Sequence, residues 1–146
     1  MTTPRPHRIL CVCLGNICRS PTAEAALRAE LGDRAIVDSA GTGDWHVGQP
    51  PYGPMQAAAR AAGLDLSGLR ARQVTRADFA RFDLILAMDS DNLRDLAALD
   101  PGTGARLARY LEPLGGGDVP DPYFTRDFDG ALDLIRRAAR AWASRL

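Results

Sequence analysis

The chain has no lysine: all 18 of its basic residues are Arg. That removes Schiff-base chemistry and the lysine-dependent nucleotide loops. Cysteine is confined to Cys11, Cys13 and Cys18, and none follows. So short a cluster is no long-range disulfide framework. In a cytosolic chain it points to catalysis, redox chemistry or metal binding. The only histidines are His7 and His46, so a metal site on the three thiols lacks an evident fourth ligand. No apolar run approaches the ~20 residues of a membrane span. No apolar stretch precedes Ile9, and we expect no signal peptide. Acids and bases cancel, 18 against 18, which leaves no broad basic footprint for nucleic acid. The expectation is a cytoplasmic monomer with no nucleic-acid or membrane partner. Its Arg and Ala bias fits a GC-rich genome.

What is present fits a globular enzyme. At 146 residues, 46% apolar and 25% charged, the chain reads as one domain, 1–146, with a flexible lead over 1–7. A domain this size buries roughly 70% of its unfolded surface and needs no covalent staple. Apolar β-favouring runs at 8–13, 35–39, 82–88 and 106–111 read as strands. Helical patterns occupy 21–30, 54–62, 75–79, 89–99 and 128–145. In the short helix at 75–79, Thr75 would be the cap. The last helix carries a core stripe of Leu132, Ile135, Ala139 and Trp142. Repeated β-α alternation predicts an α/β fold: three layers, a flavodoxin-like four-stranded parallel sheet of order 2-1-3-4, helices on both faces. Such sheets bind ligands beyond the carboxyl ends of their strands. Cys13 stands at such an end.

The segment Cys13-Leu-Gly-Asn-Ile-Cys-Arg-Ser20, followed by Pro21, links the first strand to a helix. Gly15 and Asn16 tolerate left-handed backbone, so the loop can curl with its amides inward. Leu14, Ile17 and Cys18 contribute further amides. A nest of N–H groups backed by a helix N-terminus binds phosphate. Arg19 supplies a planar fork for two phosphoryl oxygens. These surroundings favour a thiolate at Cys13, placed under the phosphate as a nucleophile. Ser20 can donate a hydrogen bond to that sulfur. A bare Cys-x5-Arg spacing is common by chance; joined to the strand, Gly-Asn, Ser-Pro and helix onset, it is specific.

The segment Val-Cys-Leu-Gly-Asn-Ile-Cys-Arg-Ser-Pro-Thr-Ala-Glu-Ala closely resembles the low-molecular-weight protein tyrosine phosphatases. So do residues 38–48, Ala71-Arg-Gln, 87–93 and Val119-Pro-Asp-Pro-Tyr-Phe124. The resemblance implies hydrolysis of phosphotyrosine proteins and small aryl phosphates through a cysteinyl-phosphate, with phosphate and other oxyanions as ligands. It implies Cys13 as nucleophile, Arg19 as phosphate clamp and Asp121 as general acid, and neither metal nor cofactor. One carboxyl group can protonate the leaving phenolate and then deprotonate water. By the same resemblance Trp45, Tyr123 and Phe124 wall the cleft beside His46. Phe124 reads equally well as core. Cys18 can pair with Cys13 under oxidants, a buried packing thiol being the alternative, while Cys11 reads as core. Ser39 joins Asn16 and Ser20 in a supporting network. Relatives place a His where this chain has Leu69, so the loop should be less firmly held here unless another group substitutes.

Other classes fit less well. A thioredoxin-coupled arsenate reductase needs downstream cysteines. A phosphocarrier module needs neither Arg19 nor Asp121. A non-enzymatic phosphotyrosine-binding module would carry a damaged site, and this one is intact.

Overall fold

The computed structural model describes residues 5–146. Its elements are β1 (His7–Cys13), α1 (Arg19–Leu31), β2 (Ala35–Gly41), α2 (Gly53–Ala61), α3 (Asp78–Arg81), β3 (Leu84–Ala87), α4 (Ser90–Leu99), β4 (Arg106–Arg109), α5 (Pro122–Thr125) and α6 (Phe128–Arg145). The four strands form one parallel sheet of order β2-β1-β3-β4, the expected topology. Of the lead expected to be flexible, residues 1–4 lie outside the described residues. His7 does not belong to it: it opens β1 and pairs with Ala35.

The sheet forms because β1 is apolar on both faces, as the strands of covered parallel sheets are. Ile9, Cys11 and Cys13 pack with Leu27, Leu86, Ile135 and Trp142 under α1 and α6. Leu10 and Val12 pack with Phe79, Ile85 and Leu96 under α3 and α4. Trp142 and Met88 are core residues, as read from sequence. The Trp142 indole donates to the Tyr110 carbonyl at 2.7 Å, and the Tyr110 hydroxyl to the Ile135 carbonyl at 2.8 Å. Both buried polar groups are thus satisfied.

A third cluster joins Met55 and Ala59 of α2 and Leu132 of α6 to Ile17 and Cys18 of the loop after β1. Leu69 packs against this cluster.

Strand β2 runs on to Gly41, β3 is confined to Leu84–Ala87 and β4 ends at Arg109. Three helical expectations also change. The short helix begins at Asp78 rather than Thr75. Asp78 accepts the Thr75 N–H at 2.8 Å while its carboxylate also holds Arg72, so Thr75 lies in the preceding turn. Helix α1 begins at Arg19, two residues before Pro21. The turn α5 was not expected, although Asp121 followed by Pro122 is a good start signal. Asp121 caps it by accepting the Tyr123 N–H at 3.1 Å.

Candidate active site

Strand β1 delivers Cys13 to the carboxyl end of the sheet, where residues 13–18 curl back toward the sulfur. Asn16 takes φ 56°, the left-handed turn expected of it. Its N–H donates to Cys13 Sγ at 3.2 Å, and Ser20 Oγ lies 2.9 Å from the same sulfur. Cys18 is the N-cap residue of α1 and makes no side-chain cap. Its first amides are therefore left without a side-chain acceptor, as an anion site requires. Gly41 is what lets the loop close on β2: a Cβ there would meet the Leu14 carbonyl oxygen at 2.7 Å.

The Asn16 side chain is fully used. Its Nδ2 donates to Ser20 Oγ at 2.8 Å and Ser39 Oγ at 3.1 Å, and its Oδ1 accepts the Arg72 N–H at 3.0 Å. Leu69 contributes only apolar packing, and no polar atom of Asn16 is left waiting for a partner. The weakness expected from Leu69 has no counterpart in the geometry. Arg72 itself is fixed by Asp38 and Asp78, both at 3.0 Å.

Arg19 is buried at the helix start. Its Nη1 donates to Asp89 Oδ2 at 2.7 Å and to the Val119 carbonyl at 3.1 Å, and Nη2 lies 3.5 Å from Asp121 Oδ2. Burial works against the guanidinium charge. The Cys13 sulfur, the Asp89 hydrogen bond and Asp121 outweigh it, so the group is held above its usual value. Asp89 is a site residue that sequence reasoning missed. It also caps α4 by accepting the Asn92 N–H at 2.8 Å, and that cap is its only local signal.

These groups meet in a pocket of about 120 Å³. Cys13, Gly15, Cys18 and Arg19 line it with Leu14, Ile17 and Asp121, and Trp45, His46, Tyr123 and Phe124 stand around it. Phe124 is an exposed wall residue, which decides between the wall and core readings. It packs edge-on against Tyr123 at 5.4 Å, and Tyr123 in turn leans on Tyr52 at 5.3 Å. Tyr52 and Arg126 were not singled out from sequence. Arg126 lies over the rings of Tyr52 and Phe128 and donates to the Tyr52 hydroxyl at 3.1 Å. His46 bonds Gln49 at 2.8 Å and lies over Gly15. Burial, then Cys13 and Asp121, push the Cys18 thiol up to about 12. Burial and Glu24 push the Cys11 thiol well above its ordinary value. Ser39, behind the loop, donates to buried Glu24 at 2.7 Å.

Comparison with known proteins agrees with this geometry. The low molecular weight phosphotyrosine protein phosphatase family matches residues 8–146. A putative low molecular weight protein-tyrosine-phosphatase of Synechocystis is 43% identical over 143 residues, covering 90% of each chain. The phosphatase YfkJ of Bacillus subtilis is 41% identical over 137 residues, covering 88% of each. The YfkJ crystal structure superposes with a TM-score of 0.90, covering 99% of this chain and 96% of that one. Vibrio vulnificus Wzb in complex with benzylphosphonate has a TM-score of 0.89 at 33% identity, covering 96% of this chain and 99% of that one. From the phosphate-type loop to the last helix, the chain belongs to the low molecular weight phosphotyrosine protein phosphatase family.

Proposed function

We propose that the protein hydrolyses phosphotyrosine and small aryl phosphates in two steps at Cys13. The observation that carries this reading is the convergence on one pocket of Cys13 Sγ, Arg19 and Asp121, with the Asn16 N–H already directed at the sulfur. The phosphoryl group sits in the loop, its oxygens held by the amides of 14–18 and the Arg19 fork. The Cys13 sulfur attacks phosphorus; the S–P bond forms as the P–O bond to the phenol breaks. Asp121 gives its proton to the departing oxygen. Water then attacks phosphorus, its proton passes to Asp121, and the electron pair of the breaking S–P bond returns to sulfur. Ser20 donates to that sulfur and stabilises it as leaving group. The flat rings of Trp45, Tyr123 and Phe124 face an aryl ester, and benzylphosphonate in Wzb is a ligand of that class.

The test is hydrolysis of an aryl phosphate with and without chelator. Activity inhibited by vanadate and indifferent to chelator is expected. Cys13→Ser should abolish turnover while Cys11→Ser, in the core beneath, keeps most of it. Comparable loss in both variants means the nucleophile is misassigned.

The same reading makes Cys18 a redox partner of Cys13, both free thiols lining one pocket. Peroxide oxidises Cys13 to the sulfenic acid, and the Cys18 sulfur displaces water to close a disulfide. Cys18→Ser should make peroxide inactivation harder to reverse with thiol. Peptide mapping that finds no Cys13–Cys18 linkage after mild oxidation contradicts it. We place the enzyme, as a monomer, in a bacterial cytoplasm. No helix among the described residues is long and apolar enough to cross a membrane.

A further inference from the structure

A buried carboxylate stands behind the phosphate loop with no part in the reaction just described. Glu24, on α1, is 2% exposed. Its Oε1 accepts the Ser39 hydroxyl at 2.7 Å. Its Oε2 pairs with Arg28 Nη2 at 2.8 Å, one helical turn on. Arg28 is tied to β2 as well, donating to the Val37 carbonyl through Nη2 at 2.7 Å and Nε at 3.1 Å. Both oxygens of Glu24 thus accept, and it acts as a carboxylate.

The donors and acceptors between Glu24 and the nucleophile can be counted. Ser39 has one hydroxyl proton, and Glu24 takes it. Ser39 Oγ must therefore accept from Asn16 Nδ2. The Arg72 N–H occupies Asn16 Oδ1, which fixes the same orientation of the carboxamide. The second Nδ2 proton goes to Ser20 Oγ. The Ser20 proton is then left for Cys13 Sγ at 2.9 Å, its other acceptor, the Ala40 carbonyl, being 3.5 Å away. Two groups in this chain cannot invert: the Arg72 N–H, which only donates, and the Glu24 carboxylate, which only accepts.

We propose that Glu24, braced by Arg28, is a positioning residue that sets the direction of the Ser39–Asn16–Ser20 hydrogen bonds and so aims the Ser20 hydroxyl at Cys13. A glutamine has the same shape but the wrong inventory. If its oxygen faces Arg28, its amide donates to Ser39, which then meets two donors and has no acceptor for its own proton. Asn16, held at a left-handed φ of 56°, loses one of its supports.

The inference rests on the phosphatase reading, and a double-mutant cycle separates the two. Glu24→Gln should lower kcat/KM for an aryl phosphate by about tenfold, the size of one charged hydrogen bond. Ser39→Ala should lower it comparably, and the double variant should be no worse than Ser39→Ala alone. Arg28→Gln, at the half-exposed end, should lose less, and nothing further in the Ser39→Ala background; it carries the test if Glu24→Gln does not fold. A Glu24→Gln protein with a lower melting temperature but wild-type kcat/KM overturns the proposal. So do losses from Glu24 (or Arg28) and Ser39 that simply multiply. A wild-type protein inactive on aryl phosphate, or an active Cys13→Ser, instead defeats the phosphatase reading.

Discussion

Asp121 is divided between two partners: one carboxylate oxygen takes the Tyr123 N–H and the other faces Arg19 at 3.5 Å. The first fixes the side chain on a proline-stiffened turn. The second would yield, under the proposed mechanism, to a phosphoryl group in the Arg19 fork, freeing the carboxyl for the leaving oxygen. Asp121→Asn should therefore cost most with poor leaving groups, because a good one departs with little proton assistance. Rates measured across phenols of rising pKa should show a widening gap from wild type; a constant gap would remove Asp121 from the acid role. Cys13, Arg19 and Asp121 were legible in the sequence because the first two share one short loop and the third lies in a stiff Pro-Asp-Pro turn. Asp89 was not, because it reaches Arg19 across 70 residues of chain and shows locally only as a helix cap. Tyr52 and Arg126 likewise meet only once the chain has folded.

Among the elements, β1 was readable because a run buried on both faces needs no partner to be recognised. The helix α3 starts at Asp78, three residues later than expected, although its carboxylate accepts the Thr75 N–H as in a capping box while also holding Arg72. At the other end of the sheet, Asp83 just before β3 accepts the Arg8 N–H at 3.0 Å and the Arg8 guanidinium at 3.1 Å. The guanidinium hydrogen bond first, then the backbone N–H, hold its carboxyl below the ordinary 3.8. A carboxyl so depressed stabilises the fold above its unfolded value, and the gain is lost as pH falls through the folded one. The pair is about half exposed, with the Asp83 side chain at 47%, so solvent screening keeps its worth to about 0.5 kcal/mol. Asp83→Asn should lower unfolding free energy by that amount at about pH 7 and by less at about pH 3. Urea titrations of both proteins at the two pH values check this; a gap that does not shrink on acidification means the effect is not the carboxylate's.

For the whole molecule, topology decides where chemistry can occur. The order β2-β1-β3-β4 puts β1 at the centre, so its carboxyl end is flanked by the ends of β2 and β3. From those ends come Gly41, which lets the loop approach, and Asp89, which holds Arg19. Asp121, the proposed acid, arrives from beyond β4 as the N-cap of α5. One guanidinium, Arg19, is thereby set among Cys13, Asp89 and Asp121 at that end of the sheet. The proposed two-step reaction requires a covalent phosphoryl group at Cys13. Rapid mixing with an aryl phosphate, quenching within the first turnover and mapping the peptides is the direct measurement. A burst of phenol equal to the enzyme, with the phosphoryl group on Cys13, is the predicted result. Phenol release without a burst and no phosphorylated peptide, or a phosphoryl group on any other residue, would contradict it.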